Sequence, residues 1–279
     1  MIKTTISGLT IAAASLTVLA LAGTATAARS GAGDEVIHIV HVAGGQLNTN
    51  TSDNWSGYNI GADYPQVAAG TTFTNITGEW TVPTARQDTA GQAEDSASWI
   101  GIGGGCVTDN CDVTDSTLIQ AGTEQDVSST GQASYDAWWE IIPEPETEVS
   151  LPVSAGNKIY VSIDEATTPG IWSITIDNLS TGESFSTTTP YSSSMDTAEW
   201  IEETPLEIGA GSTGLAAMPK LGTVHFTDAT LNAANPGFQT ADEIQLVTSS
   251  GQVLATPSAP SAAQNSFNDC VWSTTCAAP

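Results

Sequence analysis

The chain has 279 residues, of which 31 are Asp or Glu and only 5 are Lys or Arg, so its formal net charge is −26 at neutral pH. This shortage of bases excludes a protein that binds nucleic acid or an anionic membrane surface, because phosphates are held by clustered Lys and Arg. Hydrophobic residues make up 40% of the chain and charged residues 13%, which is typical of a folded protein with a sizeable core.

The amino terminus has the pattern of a secretory signal peptide. Lys3 is followed by an apolar run over about 6–22 and by the small residues Ala25, Thr26 and Ala27. We therefore expect residues 1–27 to be removed and the protein to be secreted and extracellular. No later stretch approaches the roughly 18 apolar residues that a membrane-spanning helix needs.

Residues 28–50 are expected to form a short pro-segment or N-terminal extension, or an edge strand at the apolar patch EVIHIVHVAGG (35–45). His38 and His41 lie three residues apart in this patch. Two His without a carboxylate partner rarely hold a metal, so we expect neither a metal nor a cofactor here.

From Asn54 onward, short runs of alternating apolar residues recur between turn signals. Examples are TFTNITGEWTVP, ASWIGIGGG, ASYDAWWEIIP, NKIYVSIDEA, GIWSITIDNLSTGESFSTTT, GTVHFTDATLN and DEIQLVTSSGQVL. The runs are rich in β-branched and aromatic residues and lack a helical period. They predict an all-β fold, an antiparallel β-sandwich that forms a single domain over 51–279. DNLSTGESF predicts a hairpin with Gly182 in its turn.

The four cysteines form two close-spaced pairs in a chain that is expected to be exported. Cys106–Cys111 and Cys270–Cys276 are the favoured disulfides among three possible pairings. Neither interval has the CxxC spacing of a zinc knuckle, so a zinc site is not predicted.

Several catalytic classes can be eliminated. The chain has no GxSxG elbow and no HExxH motif. Beyond the N-terminal segment its only His is His225, for which we expect a core or strand-edge position, so a Ser-His-Asp or Cys-His triad is not expected. Carboxylates, amides and aromatic rings remain as the available chemistry.

Strand alternation places several of these groups on common faces. In SYDAWWEIIP, it puts Asp136, Trp138 and Glu140 on one face. Two acids beside a Trp are costly to bury without partners, so this face is expected to line a wet cleft. A solvated outer face is the alternative, and the same choice applies to the acids of TAEWIEE.

Four segments, in this order along the chain, resemble the signature segments of the eqolisins, the glutamic peptidases. They are WIGIGG (99–104), LIQAG (118–122), YDAWWEIIP (135–143) and TAEWIEE (197–203). NWSGY (54–58) and WTVP (80–83) match that family's opening strands. The resemblance spans roughly 54–228 and implies a concanavalin A-like lectin sandwich of two bent antiparallel sheets, with a catalytic Gln and Glu in its concave groove.

Carried over by motif, the catalytic pair falls on Gln120 of LIQAG and Glu199 of TAEWIEE. Trp99, Asp136 and Glu140 match positions near the family's active site. Together with Trp138, which with Trp99 is expected to form a groove wall, they are the predicted substrate-binding or supporting residues. Core packing is the alternative for both Trp side chains.

One position departs from the family pattern. Gly103 stands in WIGIGG where the best-known fungal members carry Asp, so the carboxylate network and the pH optimum are expected to differ. The segment before the domain is also shorter and less basic than the fungal propeptides, which leaves zymogen control open.

The resulting prediction is a secreted, monomeric acid endopeptidase that acts on polypeptides, with Glu199 as general base and acid and Gln120 as the oxyanion donor. The acidic composition fits this, because few positive charges remain to repel one another once the carboxylates are protonated. It equally fits a chain that is acidic only for solubility. A glycan-active enzyme or lectin on the same fold and a non-catalytic secreted binding module are the alternatives.

Overall fold

The structure is a computed structural model that describes residues 29–30, 36–41, 50–208 and 213–279. The predicted signal peptide and most of the predicted pro-segment lie outside these residues. Within them the helical structure is one 3₁₀ turn, Thr240–Asp242, and no helix there has the length and apolarity to cross a bilayer.

The described residues otherwise fold into short strands. Their bounds are β1 (Arg29–Ser30), β2 (Val36–Val40), β3 (Thr51–Ser52), β4 (Trp55–Gly61), β5 (Asn75–Thr81), β6 (Ala97–Gly103), β7 (Leu118–Val127), β8 (Ala133–Ile141), β9 (Thr147–Val149), β10 (Lys158–Glu165), β11 (Ile171–Asn178), β12 (Glu183–Pro190), β13 (Thr197–Glu203), β14 (Leu206–Ile208), β15 (Thr213–Leu215), β16 (Thr223–Leu231), β17 (Glu243–Val247), β18 (Val253–Pro257) and β19 (Phe267–Val271).

Most of these strands belong to two packed layers. The first layer has the order β12-β11-β10-β5-β16-β19-β18, and the second has the order β4-β13-β6-β7-β8-β9. β17 joins the layers, since it pairs with β18 on one side and with β4 on the other. The layers face each other, with β5 and β10 of the first against β6 of the second. The predicted antiparallel β-sandwich is thus confirmed.

Large aromatic side chains fill the space between the layers. Trp80, Trp200 and Phe226 are almost completely buried there. Two of them also bond across the layers: Trp80 Nε1 donates to Thr123 Oγ1 (3.0 Å), and Trp200 Nε1 donates to the carbonyl of Thr77 (2.9 Å). Because a buried indole N–H needs an acceptor, these bonds fix how the layers are aligned. Truncating such a Trp to Ala typically costs about 3–5 kcal/mol of stability.

Three local predictions are confirmed. The disulfides are Cys106–Cys111 and Cys270–Cys276. β11 and β12 form the predicted hairpin, and Gly182 adopts a positive φ of 78° in its turn. That backbone conformation is readily available only to glycine.

A small second sheet has the order β1-β2-β14-β15. The apolar patch of the N-terminal segment supplies β2, which pairs with β14 immediately after β13 of the second layer. This strand was expected at an edge, but it lies between β1 and β14. β2 ends at Val40, and the next residue, His41, contacts Gln120 and Trp138 of the second layer.

Candidate active site

One row of residues crosses five neighbouring strands of the second layer. Glu199 on β13 pairs with Asn59 on β4 and with Gly101 on β6. Gly101 pairs in turn with Gln120 on β7, and Gln120 pairs with Glu140 on β8. Directly opposed residues of antiparallel strands point to the same face. Gln120 and Glu199 therefore share a face and are two strands apart, about 10 Å between their backbones.

The glycine at the centre of this row has close neighbours on the face that it shares with Gln120 and Glu199. A Cβ at Gly101 would lie 2.9 Å from Leu118 Cδ1 and 3.0 Å from Trp99 Cζ3. These two side chains reach over Gly101 from the same face, so no further side-chain atom fits there without displacement. Gln120 and Glu199 thus lie on either side of a residue that has no side chain, and Leu118 and Trp99 reach over that residue.

Glu199 is completely buried. Burial raises the pKa of Glu199 well above its ordinary value of 4.5. A hydrogen bond from the Thr197 hydroxyl lowers the pKa in part, and the negative charge of Asp115 raises it further. Within the described residues, no donor is well aligned with either carboxylate oxygen. A buried acid with an elevated pKa and free oxygens is suited to exchanging a proton with a bound reactant.

The disulfide loop after β6 closes over Glu199. Asn59 Nδ2 donates to the carbonyl of Cys106 (3.0 Å) and to the hydroxyl of Tyr64 (2.5 Å). At Gly105 an added Cβ would lie 1.7 Å from Asn59 Oδ1 and 2.5 Å from Glu199 Oε1. Only a residue without a side chain allows the loop to approach the carboxyl this closely.

The side-chain amide of Gln120 is held on both hydrogens. Its Nε2 donates to Glu140 Oε2 (2.7 Å) and to the carbonyl of His41 (2.8 Å). Two acceptors on the nitrogen fix the orientation of the amide. Burial raises the pKa of Glu140 well above its ordinary value, while the charge of His41 opposes the shift and Glu146 and Glu203 reinforce it.

His41 lies at the other side of Gln120 in a cluster of carboxylates. Its ring stacks on Trp138 with a centroid separation of 3.8 Å and an interplanar angle of 7°. Nδ1 is 3.1 Å from Glu203 Oε2, and Nε2 is 3.1 Å from Glu146 Oε2 and 3.6 Å from Glu124 Oε1. Burial alone would lower the pKa of His41, but the carboxylates outweigh it and raise the pKa well above 6.5. These carboxylates therefore favour the protonated imidazole.

Part of the same cluster has the spacing of a metal site. His41, Glu124 and Glu146 offer ligand atoms that lie within 4.8 Å of one another. Both ring nitrogens, however, already face a carboxylate at 3.1 Å, and an imidazolium neutralises these charges without an ion. We assign no metal to it.

The comparisons with known proteins agree with this geometry. The model of the Peptidase A4 family matches residues 53–267. The chain belongs to this family. It is 31% identical to aspergillopepsin-2 of Aspergillus niger in an alignment 209 residues long that covers 66% of this chain and 66% of the relative, so the chain matches about two thirds of that relative's length.

Solved structures of glutamic peptidases have the same fold. Scytalido-glutamic peptidase with a transition-state analogue inhibitor gives a TM-score of 0.60 at 22% identity, over 78% of this chain and 98% of that chain. Aspergilloglutamic peptidase from Aspergillus niger gives 0.50 at 29% identity, over 64% and 99%. The resemblance to the glutamic peptidases is confirmed, and family membership favours a peptidase over a glycan-active enzyme or a binding module.

The structure of this peptidase brings most of the predicted site residues onto one face. Gln120, Glu199 and Glu140 share the central row, and Trp99 and Trp138 lie in the next row, both facing Gly122. Asp136 is on the same face but one row further, opposite Glu124 and half-buried. It makes no direct contact with Gln120 or Glu199, so it belongs to the periphery of the site.

Trp99 and Trp138 are both core and site residues. Each is fully buried in a small apolar cluster on this face, separate from the core between the layers. Trp99 Nε1 also donates to Glu203 Oε2 (2.7 Å), and the Trp138 ring stacks on the His41 ring. The two alternatives of groove wall and core packing therefore do not exclude each other.

Sequence reasoning missed the role of His41. It was expected to lack a carboxylate partner, and that expectation is wrong because the partners come from distant segments, namely β7, β13 and the residue 146 turn before β9. Glu203, Glu124 and Glu146 were likewise not singled out. The sequence did offer one signal for a role of His41: it directly follows a strand-forming run, and the chain has only 3 His.

The structure also explains Gly103. Its φ is +98°, and a Cβ there would lie 2.0 Å from the carbonyl oxygen of Thr117. An Asp does not fit this backbone, because its Cβ would overlap the Thr117 carbonyl oxygen.

Proposed function

We propose that this peptidase is a secreted acid endopeptidase that hydrolyses peptide bonds of polypeptides with Gln120 and Glu199 as its catalytic residues. The observation that carries the proposal is their common register with Gly101, which places an amide and a carboxyl group on the same face, on either side of a residue that has no side chain. The inhibitor named for scytalido-glutamic peptidase, a transition-state analogue, supports a site of this kind in the family.

The reaction begins with a water molecule placed between the two side chains. Ionised Glu199 takes one proton from the water as its oxygen adds to the carbonyl carbon of the substrate. The carbonyl oxygen becomes an oxyanion, and Gln120 Nε2 donates a hydrogen bond to it. One such donor is typically worth about 3 kcal/mol in the transition state.

The second half of the reaction returns the proton. Protonated Glu199 gives it to the nitrogen of the departing amine, the C–N bond breaks, and a carboxylic acid and an amine leave the groove. Gln120 cannot titrate, so its hydrogen-bond donation persists in acid. Glu199 is the group that limits the pH range.

The elevated pKa of Glu199 in this structure affects the pH range in which the enzyme is active. A carboxyl that holds its proton cannot act as the base, and the cause of the elevation is burial. Hydration of the groove on substrate entry lowers the pKa of Glu199 toward its ordinary value, because the penalty of burial is reduced. Activity in acid therefore requires that water and substrate reach Glu199.

The test is the rate of hydrolysis of a denatured protein between pH 2 and 7 for Glu199→Gln and Gln120→Ala. Both are expected to lose at least about a hundredfold in kcat/KM while keeping the wild-type circular dichroism. Glu202→Gln is the matched control, because Glu202 lies on the same strand but on the opposite face, bonded to Ser98 (2.6 Å). Wild-type turnover in either dyad variant contradicts the proposal.

A further inference from the structure

Glu199 has a second side-chain amide beside it, on the side away from Gln120. Asn59 on β4 is directly opposed to Glu199 on β13, while Gly101 on β6 is opposed to Glu199 from the other side. Directly opposed residues of antiparallel strands point to the same face. Asn59 is completely buried, so both atoms of its amide group need partners inside the protein.

The orientation of the Asn59 amide is determined by its neighbours. Nδ2 donates to the carbonyl of Cys106 (3.0 Å) and to the hydroxyl of Tyr64 (2.5 Å). A carbonyl oxygen only accepts hydrogen bonds, so the reversed amide would bring two acceptors together at Cys106. Nδ2 must therefore face the carbonyl, and Oδ1 is the amide atom that remains without a donor.

Oδ1 of Asn59 and Oε1 of Glu199 share one small space in front of Gly105. A Cβ on Gly105 would lie 1.7 Å from Oδ1 and 2.5 Å from Oε1, so both oxygens lie close to a single point. No well-aligned donor among the described residues reaches either oxygen. Two buried acceptors that meet without a hydrogen are both unsatisfied, which is costly. The carboxyl proton of Glu199 is a hydrogen that the chain itself can place between them.

We propose that Asn59 is a positioning residue of this peptidase, whose Oδ1 accepts a hydrogen bond from the protonated carboxyl of Glu199 and so sets the pH at which Glu199 becomes a base. This inference rests on the proposed function, since it assigns a partner to the proposed base. Ionised Glu199 has no proton to donate and brings a negative oxygen toward the lone pairs of Oδ1. Asn59 therefore favours the acid form of Glu199.

The other groups around Glu199 do not depend on Oδ1 of Asn59. Burial is the largest cause of the raised pKa of Glu199, and Gly101 adds no side chain. The polar and titratable neighbours are the Thr197 hydroxyl on β13, the Asp115 carboxylate before β7 and the Tyr64 hydroxyl after β4.

Two of these neighbours keep a constant charge state or position in acid. Burial raises the pKa of Tyr64 well above 10, so its hydroxyl stays neutral. Asp115 is held by Thr117, whose N–H and hydroxyl both donate to Oδ1 of Asp115 (2.8 Å each). A change of the Glu199 titration on replacement of Asn59 therefore reports the loss of the Asn59 acceptor.

The first experiment measures the proton on Glu199 without any turnover. Glutamate carboxyl carbons labelled with ¹³C are followed by NMR over pH 2 to 8 in the purified protein, and Glu199→Gln identifies the resonance of Glu199. Asn59→Leu, which keeps the size but removes the acceptor, is expected to lower the titration midpoint by roughly one pH unit. Equal midpoints in wild type and Asn59→Leu overturn the inference.

Tyr64→Phe is the matched control for this titration. It removes one acceptor of Asn59 Nδ2 but leaves Oδ1 in place, so the midpoint of Glu199 is expected to stay within about 0.3 pH units, well below the effect of losing the acceptor. A midpoint that falls equally in Tyr64→Phe and Asn59→Leu would mean that loosening of the loop, and not loss of the acceptor, is the cause, which contradicts the inference.

Asn59→Asp provides a second test that does not require Leu to be tolerated at this position. The introduced carboxyl keeps an oxygen toward Glu199 and, when protonated, a donor for the carbonyl of Cys106. Two facing carboxyls share protons, so the pair is expected to titrate in two steps spread over a wider pH range than in wild type. Independent titration of the introduced carboxyl, with an unchanged midpoint for Glu199, overturns the inference.

The last experiment connects the titration with turnover. The acid limb of kcat/KM against pH reports ionisation of the base in the free enzyme, so Asn59→Leu is expected to shift this limb to lower pH by roughly one unit, as in the NMR titration. A purely structural role of Asn59 would lower the rate at every pH without moving the limb, and this result contradicts the inference.

The two proposals fail in different ways. If no variant and no wild-type preparation cleaves protein while the Glu199 midpoint still responds to Asn59, the proposed function is refuted and the contact between Asn59 and Glu199 stands. If cleavage is lost in Glu199→Gln but neither the midpoint nor the acid limb responds to Asn59, the proposed function stands and the role of Asn59 is refuted.

Discussion

Gln120 and Glu199 pair with the same residue, Gly101, from its two sides. The two residues are far apart in the sequence, but in the sheet only strand β6 lies between them, and both face the same position of it. This relationship places an amide and an acid on either side of a residue that has no side chain. It is the geometric basis of the proposed dyad, and it leads directly to a test.

Gly101→Ala is expected to lower kcat/KM by about tenfold or more while the fold is retained. The new methyl group would lie 2.9–3.0 Å from Leu118 and Trp99 atoms, so these side chains, which lie on the same face as Gln120 and Glu199, must shift. A displacement of this size is sufficient to misplace a substrate. Steady-state kinetics and thermal unfolding measure the two effects.

The control for this substitution is Gly214→Ala, since a Cβ at Gly214 meets no atom within 4 Å. It is expected to leave both activity and melting temperature unchanged. If Gly101→Ala has the same kinetics as Gly214→Ala, the substrate does not bind between Gln120 and Glu199.

Stability is expected to decrease as the pH rises, because several acids are buried. Asp269 is completely buried on β19, and burial raises its pKa to about 8, although Ser56 Oγ donates to it (2.9 Å). A carboxyl with a raised folded-state pKa stabilises the fold while it is protonated. This stabilisation is fully present at a pH below about 3.9, the pKa of an Asp in the unfolded chain, and it is lost as the pH rises toward 8.

Asp269→Asn removes the charge but keeps a polar partner for Ser56. It is expected to raise the melting temperature at pH 7 to 8 by several degrees, the equivalent of a few kcal/mol, and to change it little at pH 3. Glu183→Gln on the exposed strand β12 should show no such pH-dependent gain. A variant that is less stable than wild type at pH 8 would contradict this account.

The two disulfides are expected to differ in their effect on activity. Cys106–Cys111 closes the loop whose Cys106 carbonyl is bound by Asn59, next to Glu199. Replacing both cysteines with Ala is expected to lower kcat/KM about tenfold or more, because the loop no longer positions these groups. Each short loop is also expected to contribute about 2 kcal/mol of stability.

The matched control is the double Ala variant of Cys270 and Cys276, which lie at and after the end of β19 in the first layer. It is expected to lose a similar amount of stability without a change in kcat/KM at a temperature where the protein remains folded. Denaturant unfolding and kinetics separate the two effects. Equal kinetic losses in both variants would mean that the first loop has no role in the site.

Local rules in the sequence determined much of this protein. Alternation with a period of two correctly placed Asp136, Trp138 and Glu140 on one face, and the close Cys spacing gave both disulfides. The ordered motifs identified the family and hence the sandwich fold. These predictions are correct because each depends on residues that lie near one another in the chain or on a short contiguous motif.

Only the tertiary structure decided which strands are neighbours and in what register. Sequence could not show that Gly101 separates Gln120 from Glu199, or that Asp269 would be buried beside Ser56. Nor could it show that His41 meets carboxylates from three distant segments. Strand pairing depends on contacts between residues far apart in the chain, and local alternation specifies the face of a residue but not the partner that it finds there.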